Sequence, residues 1–308
     1  MENRNAMPPT DVPARRQASW MEHALAVDIG IPAVFLLLWS TGFSVVKIGL
    51  RYADPLTFLA LRYACVIVIL LPVRFLLRSP FPATLRSWID LCVIGFLIQF
   101  VYFGGTYLAL RAGLSAGALA LIVSLQPVLV GIVAPLWLNE HVSGRQWAGL
   151  AAGFAGAAIV IVSKSSVELT SLKGIVLAVP SLAGMALGVV YERKTASSQH
   201  VVTSTLVQSL TGLVLVVPLA ALLEPMHVVW VPVLFASLGY LVIGNSVIAV
   251  VLLLFLVRHR QAARVSTLFF LIPPCAAVAA KILVDEPMPA LAWFGIAVAT
   301  IGVWTSNR

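Results

Sequence analysis

Charge is what this chain has least of. Twelve Asp and Glu and twenty Lys and Arg are spread over 308 residues, 10% in all, against 60% hydrophobic residues and a mean hydropathy of +1.00. A water-soluble domain needs a polar surface around its core, and so little charge excludes one. The chain belongs in a bilayer. Cysteine is scarcer still: Cys65, Cys92 and Cys275 fall in apolar runs at no metal-ligand spacing. That excludes a disulfide framework or a cysteine-built metal centre and leaves three small apolar side chains. No G-x-x-x-x-G-K-[ST] occurs, so the chain has no phosphate loop for ATP-driven work. Nor does any carboxylate stand deep in an apolar run, since Asp90, Glu140, Glu168, Glu192, Glu224, Asp285 and Glu286 read as helix ends or loops. A carrier of cationic drugs or polyamines, or one driven by protons, is expected to place a carboxylate near the midplane, so both readings lose ground.

What is there is apolar length. A hydrocarbon core of about 30 Å takes roughly 20 helical residues, and ten runs qualify: 29–51, 55–77, 87–109, 113–138, 145–163, 173–192, 201–222, 231–257, 262–284 and 289–306. Breaks such as RYADP, RSPFPATLR, NEHVSGRQ and VDEPMP fit short turns between helices, not the alternating strands of an outer-membrane barrel. The expected fold is therefore all-α and integral to the membrane, with ten transmembrane helices.

The basic residues orient it. Arg4, Arg15, Arg16, Arg74, Arg78, Arg86, Arg145, Arg193, Lys194, Arg258, Arg260, Arg264 and Arg308 all fall on one side of these spans. Lys47, Arg51, Arg111, Lys164, Lys173 and Lys281 fall on the other, with Arg62 inside a span. Basic loops stay in the cytoplasm, so both termini are expected there and residues 1–28 form a disordered tail. This spread makes the net charge of +8 a signature of topology, not of a nucleic-acid partner.

The chain also repeats itself. A shift of 146 residues aligns Pro127 with Pro273, Glu140 with Glu286, Trp147 with Trp293, Gly149 with Gly295, Gly156 with Gly302, Gly42 with Gly188 and Thr57 with Thr203. Five helices (29–164) thus match five helices (173–306). Because five is odd, the second set enters the membrane from the opposite face, giving two inverted repeats, a recurrent basis of alternating access.

LLLWSTGFSVVKIGL in the first span, LTFLALRYACVIVILLP in the second, and the paired Pro-x12-Glu segments followed by Trp-x-Gly resemble the drug/metabolite transporter superfamily, specifically its ten-helix EamA-type exporters. Within it the chain is most similar to the YddG-like exporters of aromatic and other amino acids. The resemblance covers residues 29–306. It implies export from the cytoplasm across a bacterial inner membrane, through a cavity lined mainly by helices one, three, four, six, eight and nine.

Candidate site residues follow from polarity near mid-span. Arg62 either snorkels or caps carbonyls, or else meets a substrate carboxylate; its repeat counterpart is Gln208, so the architecture does not require the charge. Gln99 and Asn245 occupy equivalent positions, and amides are costly in lipid, so both are expected to face inward. Trp39, Phe43, Tyr102, Ser124, Gln126, Met185, Phe269 and Phe270 complete an expected lining of apolar walls with a few polar anchors, suited to an amino acid with a large side chain. The aromatic residues among them could equally pack helices or face lipid. Pro127 and Pro273, matched in the repeat, are expected hinges. The four-residue glycine spacings at 149/153 and 184/188 read as helix packing within a monomer.

No catalytic residue, cofactor or metal is expected; the partners are a small-molecule substrate and the bilayer. GLSAG at 113–117 matches the serine-hydrolase pattern but opens a membrane helix, and all five histidines lie in loops or the tail. Carriage of drugs or nucleotide-linked metabolites is the alternative within the superfamily.

Overall fold

Proline and polar caps start these helices where the sequence breaks. Asp54, in extended conformation, precedes Pro55 in the first turn of its helix, and Pro232 opens another in the same way. Thr84 accepts a bond from the Ser87 N–H. The computed structural model describes residues 30–114, 119, 122–164, 171–195, 199–259, 265–275, 278 and 289–307. The tail expected over 1–28, most of the GLSAG pentapeptide, Lys281 and Glu286 lie outside the described residues.

Helical segments follow all ten expected spans. They are α1 Ile31–Gly49, α2 Pro55–Leu76, α3 Leu85–Arg111, α4 Gln126–Leu138, α5 Gly144–Lys164, α6 Leu172–Thr195, α7 Val201–Leu223, α8 Pro232–Arg258, α9 within 265–275, and α10 Ala290–Asn307. Among the described residues six of them, α1, α2, α3, α6, α7 and α8, are long and apolar enough to cross a membrane unaided. Leu37, Val68, Leu76, Leu136, Val214 and Ile301 are each more than half exposed. Such a belt suits lipid, and a soluble protein would not carry it.

The two halves meet as antiparallel counterparts. At one face the backbone N–H groups of Leu56 and Thr57, opening α2, donate to the carboxylate of Glu224, just past the end of α7, at 2.8 and 2.9 Å. At the other, Thr203 Oγ1, opening α7, donates to the carbonyl of Pro80, just past α2, at 3.1 Å. So α2 and α7, equivalent in sequence, run in opposite directions. The same holds for α5 and α10, where Gly149 lies against Gly302 and Ser306, and Gly156 against Gly295 and Ala299. A Cβ on Gly156 would come within 2.2 Å of the Ala299 backbone nitrogen, so only glycine permits this approach.

Distortions recur at matched positions too. A π-helical stretch widens α3 over Phe96–Gly104 and α8 over Leu241–Ala249, around Gln99 and Asn245 respectively. Wide turns of this kind re-aim side chains and concentrate at functional sites. In α3, hydroxyls from neighbouring helices donate to carbonyls inside the stretch: Tyr63 to Gln99 O at 2.5 Å and Ser181 to Tyr102 O at 2.7 Å. The fourth and ninth spans are both interrupted. A turn at Ser124–Leu125 precedes α4, and a 3-10 stretch Thr267–Leu271 precedes Ile272. Pro127 and Pro273 therefore stand where a helix restarts, a position that needs no backbone N–H, and do not kink a continuous one.

Candidate substrate site

Arg62 organises the middle of the bundle. It sits seven residues into α2, roughly 10 Å beyond Pro55, and is 1% exposed. Its Nε donates to Ser246 Oγ at 2.6 Å, Nη1 to the Tyr107 hydroxyl at 3.1 Å and Nη2 to Asn245 Oδ1 at 2.7 Å. The guanidinium carbon lies 4.4 Å from the centre of the Phe103 ring. All of these partners are neutral. Three of the five guanidinium N–H groups are engaged, no carboxylate pairs with Arg62 among the described residues, and burying a guanidinium without a counter-charge is expensive. The arrangement favours an anion.

Neighbouring helices fix those partners in turn. Asn245 Nδ2 donates to the Leu38 carbonyl of α1 at 3.2 Å, which sets the amide so that Oδ1 faces Arg62. Gly42 makes room for it, since a Cβ there would lie 2.7 Å from Asn245 Nδ2. Trp39 stacks on Tyr102, with ring centres 6.2 Å apart and planes 15° apart, and borders Phe103 at 6.0 Å.

A cleft runs between these groups. Trp39, Gly42, Phe43 and Val46 of α1, Arg62 of α2, Tyr102, Phe103, Thr106 and Tyr107 of α3, and Asn245 of α8 line it. The space left between them admits about one water, so the cleft is narrow here. Arg62 is its one charged group among the described residues.

Of the residues singled out from sequence, Arg62, Asn245, Trp39, Phe43 and Tyr102 meet at this cleft. Phe269 stands one ring behind, 5.8 Å from both Trp39 and Phe35. Gln126 is fully buried and donates to Ser266 at 3.2 Å, tying α4 to α9, with Ser124 buried just before it. Met185 is buried in the main core. Phe270 packs on Gly153 between α9 and α5. Gln99 does not share its repeat-mate's setting, because its Cβ backs onto Gly212 of α7. The lining comes from α1, α2, α3 and α8, whereas the resemblance pointed to helices one, three, four, six, eight and nine.

Sequence reasoning missed Phe103, Thr106, Tyr107 and Ser246. Phe103 and Tyr107, four apart in α3, form one helical ridge, and Ser246 adjoins Asn245, so both signals were readable. Glu192 and Arg258 do stand at helix ends, as expected, but they are not solvated there: their side chains are 1% and 5% exposed and pair at 2.8 Å. Arg258 also bonds the Gln199 carbonyl, ahead of α7.

This bundle of matched antiparallel halves around a narrow polar cleft is a membrane carrier's architecture. The EamA-like transporter family model matches residues 29–162 and again 172–308. The chain belongs to the EamA-like transporter family, and is a multi-pass transporter, not an enzyme. It is 30% identical over 263 residues, 83% of each chain, to the uncharacterized transporter YvbV of Bacillus subtilis (strain 168). A probable amino-acid metabolite efflux pump of Escherichia coli (strain K12) is 22% identical over 281 residues, 87% of this chain and 91% of that one. A solved crystal structure shares the fold with a TM-score of 0.74 at 17% identity, over 90% of this chain and 96% of the other.

Proposed function

We propose that this transporter exports amino acids with aromatic or large neutral side chains from the cytoplasm across the inner membrane, the YddG-like role. The carrying observation is Arg62: a buried guanidinium fork whose partners among the described residues are all neutral, beside aromatic walls. The substrate carboxylate completes it, while Trp39, Phe43 and Tyr102 receive the side chain. The name of the Escherichia coli relative agrees with this assignment.

Export runs by alternating access. The halves 29–164 and 173–306 rock about the interrupted helices at Pro127 and Pro273, in a monomer with both termini cytoplasmic. No acidic residue lines the cleft among the described residues, which favours flux down the substrate's own gradient without a coupling ion. Counterflow of labelled phenylalanine, tryptophan, threonine and methionine into liposomes holding the purified protein tests the proposal. Saturable uptake that ignores a proton gradient is expected. No uptake of any of the four by folded protein refutes it and turns attention to drugs or nucleotide-linked metabolites.

A further inference from the structure

A second buried polar cluster lies away from the cleft, at the face carrying Arg193. Arg258, ending α8, reaches three places: Nε to Glu192 Oε1 of α6 at 2.8 Å, Nη1 to the carbonyl of Gln199 ahead of α7, and Nη2 to Ser204 Oγ of α7 at 2.6 Å. Glu192 Oε2 accepts from Gln208 Nε2 of α7 at 3.1 Å. Arg193 continues the chain outward, bonding the Arg258 carbonyl and pairing with Glu140, past the end of α4, at 3.7 Å. Four helix ends and one connection are thus joined through two arginines and two glutamates.

Stability alone does not account for this. A buried ion pair gains little over well-packed apolar residues of the same size, and its best-attested use is to fix one arrangement against another. The repeat sharpens the point. The positions equivalent to Glu192 and Arg258 are Val46 and Ala112, so the repeat does not encode this pair at the matching positions of the first half. On the opposite face, Glu224 and Asp54 accept from the backbone N–H groups of Leu56, Thr57 and His227, joining loops to helix starts. Arg258 lies thirteen residues along α8 from Asn245, about 20 Å at 1.5 Å per residue, so the cluster closes the bundle beyond the cleft without belonging to it.

We infer that the Glu192–Arg258 pair is the bolt of the gate on the Arg193 face: its release lets α6 and α7 part from α8 and opens the cleft to that side. Both are positioning residues, since neither lines the cleft. The inference rests on the alternating-access reading but on no particular substrate.

Leu254 is buried one turn inside Arg258 on the same face of α8. Leu254→Cys, with Cys65, Cys92 and Cys275 replaced, is labelled by a membrane-impermeant maleimide in vesicles of either orientation. With the pair intact, labelling from the Arg193 face is slow. Glu192→Gln raises that rate about tenfold or more, because the remaining arginine is left buried and unpaired. The double swap Glu192→Arg with Arg258→Glu brings the rate back down. Should Glu192→Gln not fold, Arg193→Gln, which removes the tie between α4 and α8 at a partly exposed site, is expected to raise it as well. Unchanged labelling in both variants overturns the inference, as does an equal rise from both faces, the mark of general loosening. No substrate enters the assay, so its failure leaves the amino-acid reading standing.

Discussion

Two buried arginines sit in this bundle under opposite conditions. Arg62 on α2 is held by a serine, a tyrosine and an asparagine, with no counter-charge among the described residues. Arg258 on α8 faces Glu192 and is neutralised within the protein. The repeat connects the two places, because Gln208, which bonds Glu192, occupies in α7 the position that Arg62 occupies in α2. One position of the duplicated fold has therefore been put to two uses. In the first half it carries a charge held by neutral groups; in the second it carries an amide that completes an internal ion pair. Both stand on equivalent helices, so it is the partners, not the scaffold, that separate the two settings.

Exchanging the two settings gives the largest expected effect. Arg62→Gln makes the first half resemble the second, and uptake by reconstituted protein should fall about 100-fold, the ~3 kcal/mol of a charge-assisted contact, in protein that remains folded. The reverse change, Gln208→Arg, puts an additional charge beside Arg258 at a fully buried site. It should destabilise the protein by about 2 kcal/mol, read as a lower midpoint in a detergent melting curve. Asn245→Asp supplies Arg62 with an internal counter-ion. Substrate then competes with a tethered carboxylate, and its half-saturation concentration should rise about tenfold, ~1.4 kcal/mol. Gln99→Ala, at the repeat position of Asn245, should change that concentration by less than about twofold, since Gln99 backs onto α7 and not the cleft.

That last pair shows where sequence reading stops. Hydropathy and the 146-residue shift made ten helices and two inverted halves legible, because bilayer thickness and helical rise leave little choice. Arg62, Asn245, Trp39, Phe43 and Tyr102 were legible as polar or aromatic groups at mid-span. Their meeting was not, since Arg62 and Asn245 are 183 residues apart and join only when α2 packs beside α8. Equivalence in the repeat marked Gln99 and Asn245 as inward-facing, and both are buried, but inverted halves give equivalent residues different neighbours: Asn245 meets Gly42 of α1, while Gln99 meets Gly212 of α7. The π-helical stretches in α3 and α8 carried no composition signal. The Glu192–Arg258 pair was hidden because charges near helix ends read as solvated, and only the packing of α6, α7 and α8 brings their partners together.

The central claim is that Arg62 receives a carboxylate, and competition tests it without altering the protein. Labelled phenylalanine counterflow would be measured against 3-phenylpropionate, which keeps the carboxylate and lacks the amine, and against phenethylamine, which keeps the amine and lacks the carboxylate. Inhibition by 3-phenylpropionate and not by phenethylamine is the predicted result. Inhibition by phenethylamine alone would contradict the account and require a different anchor for the substrate.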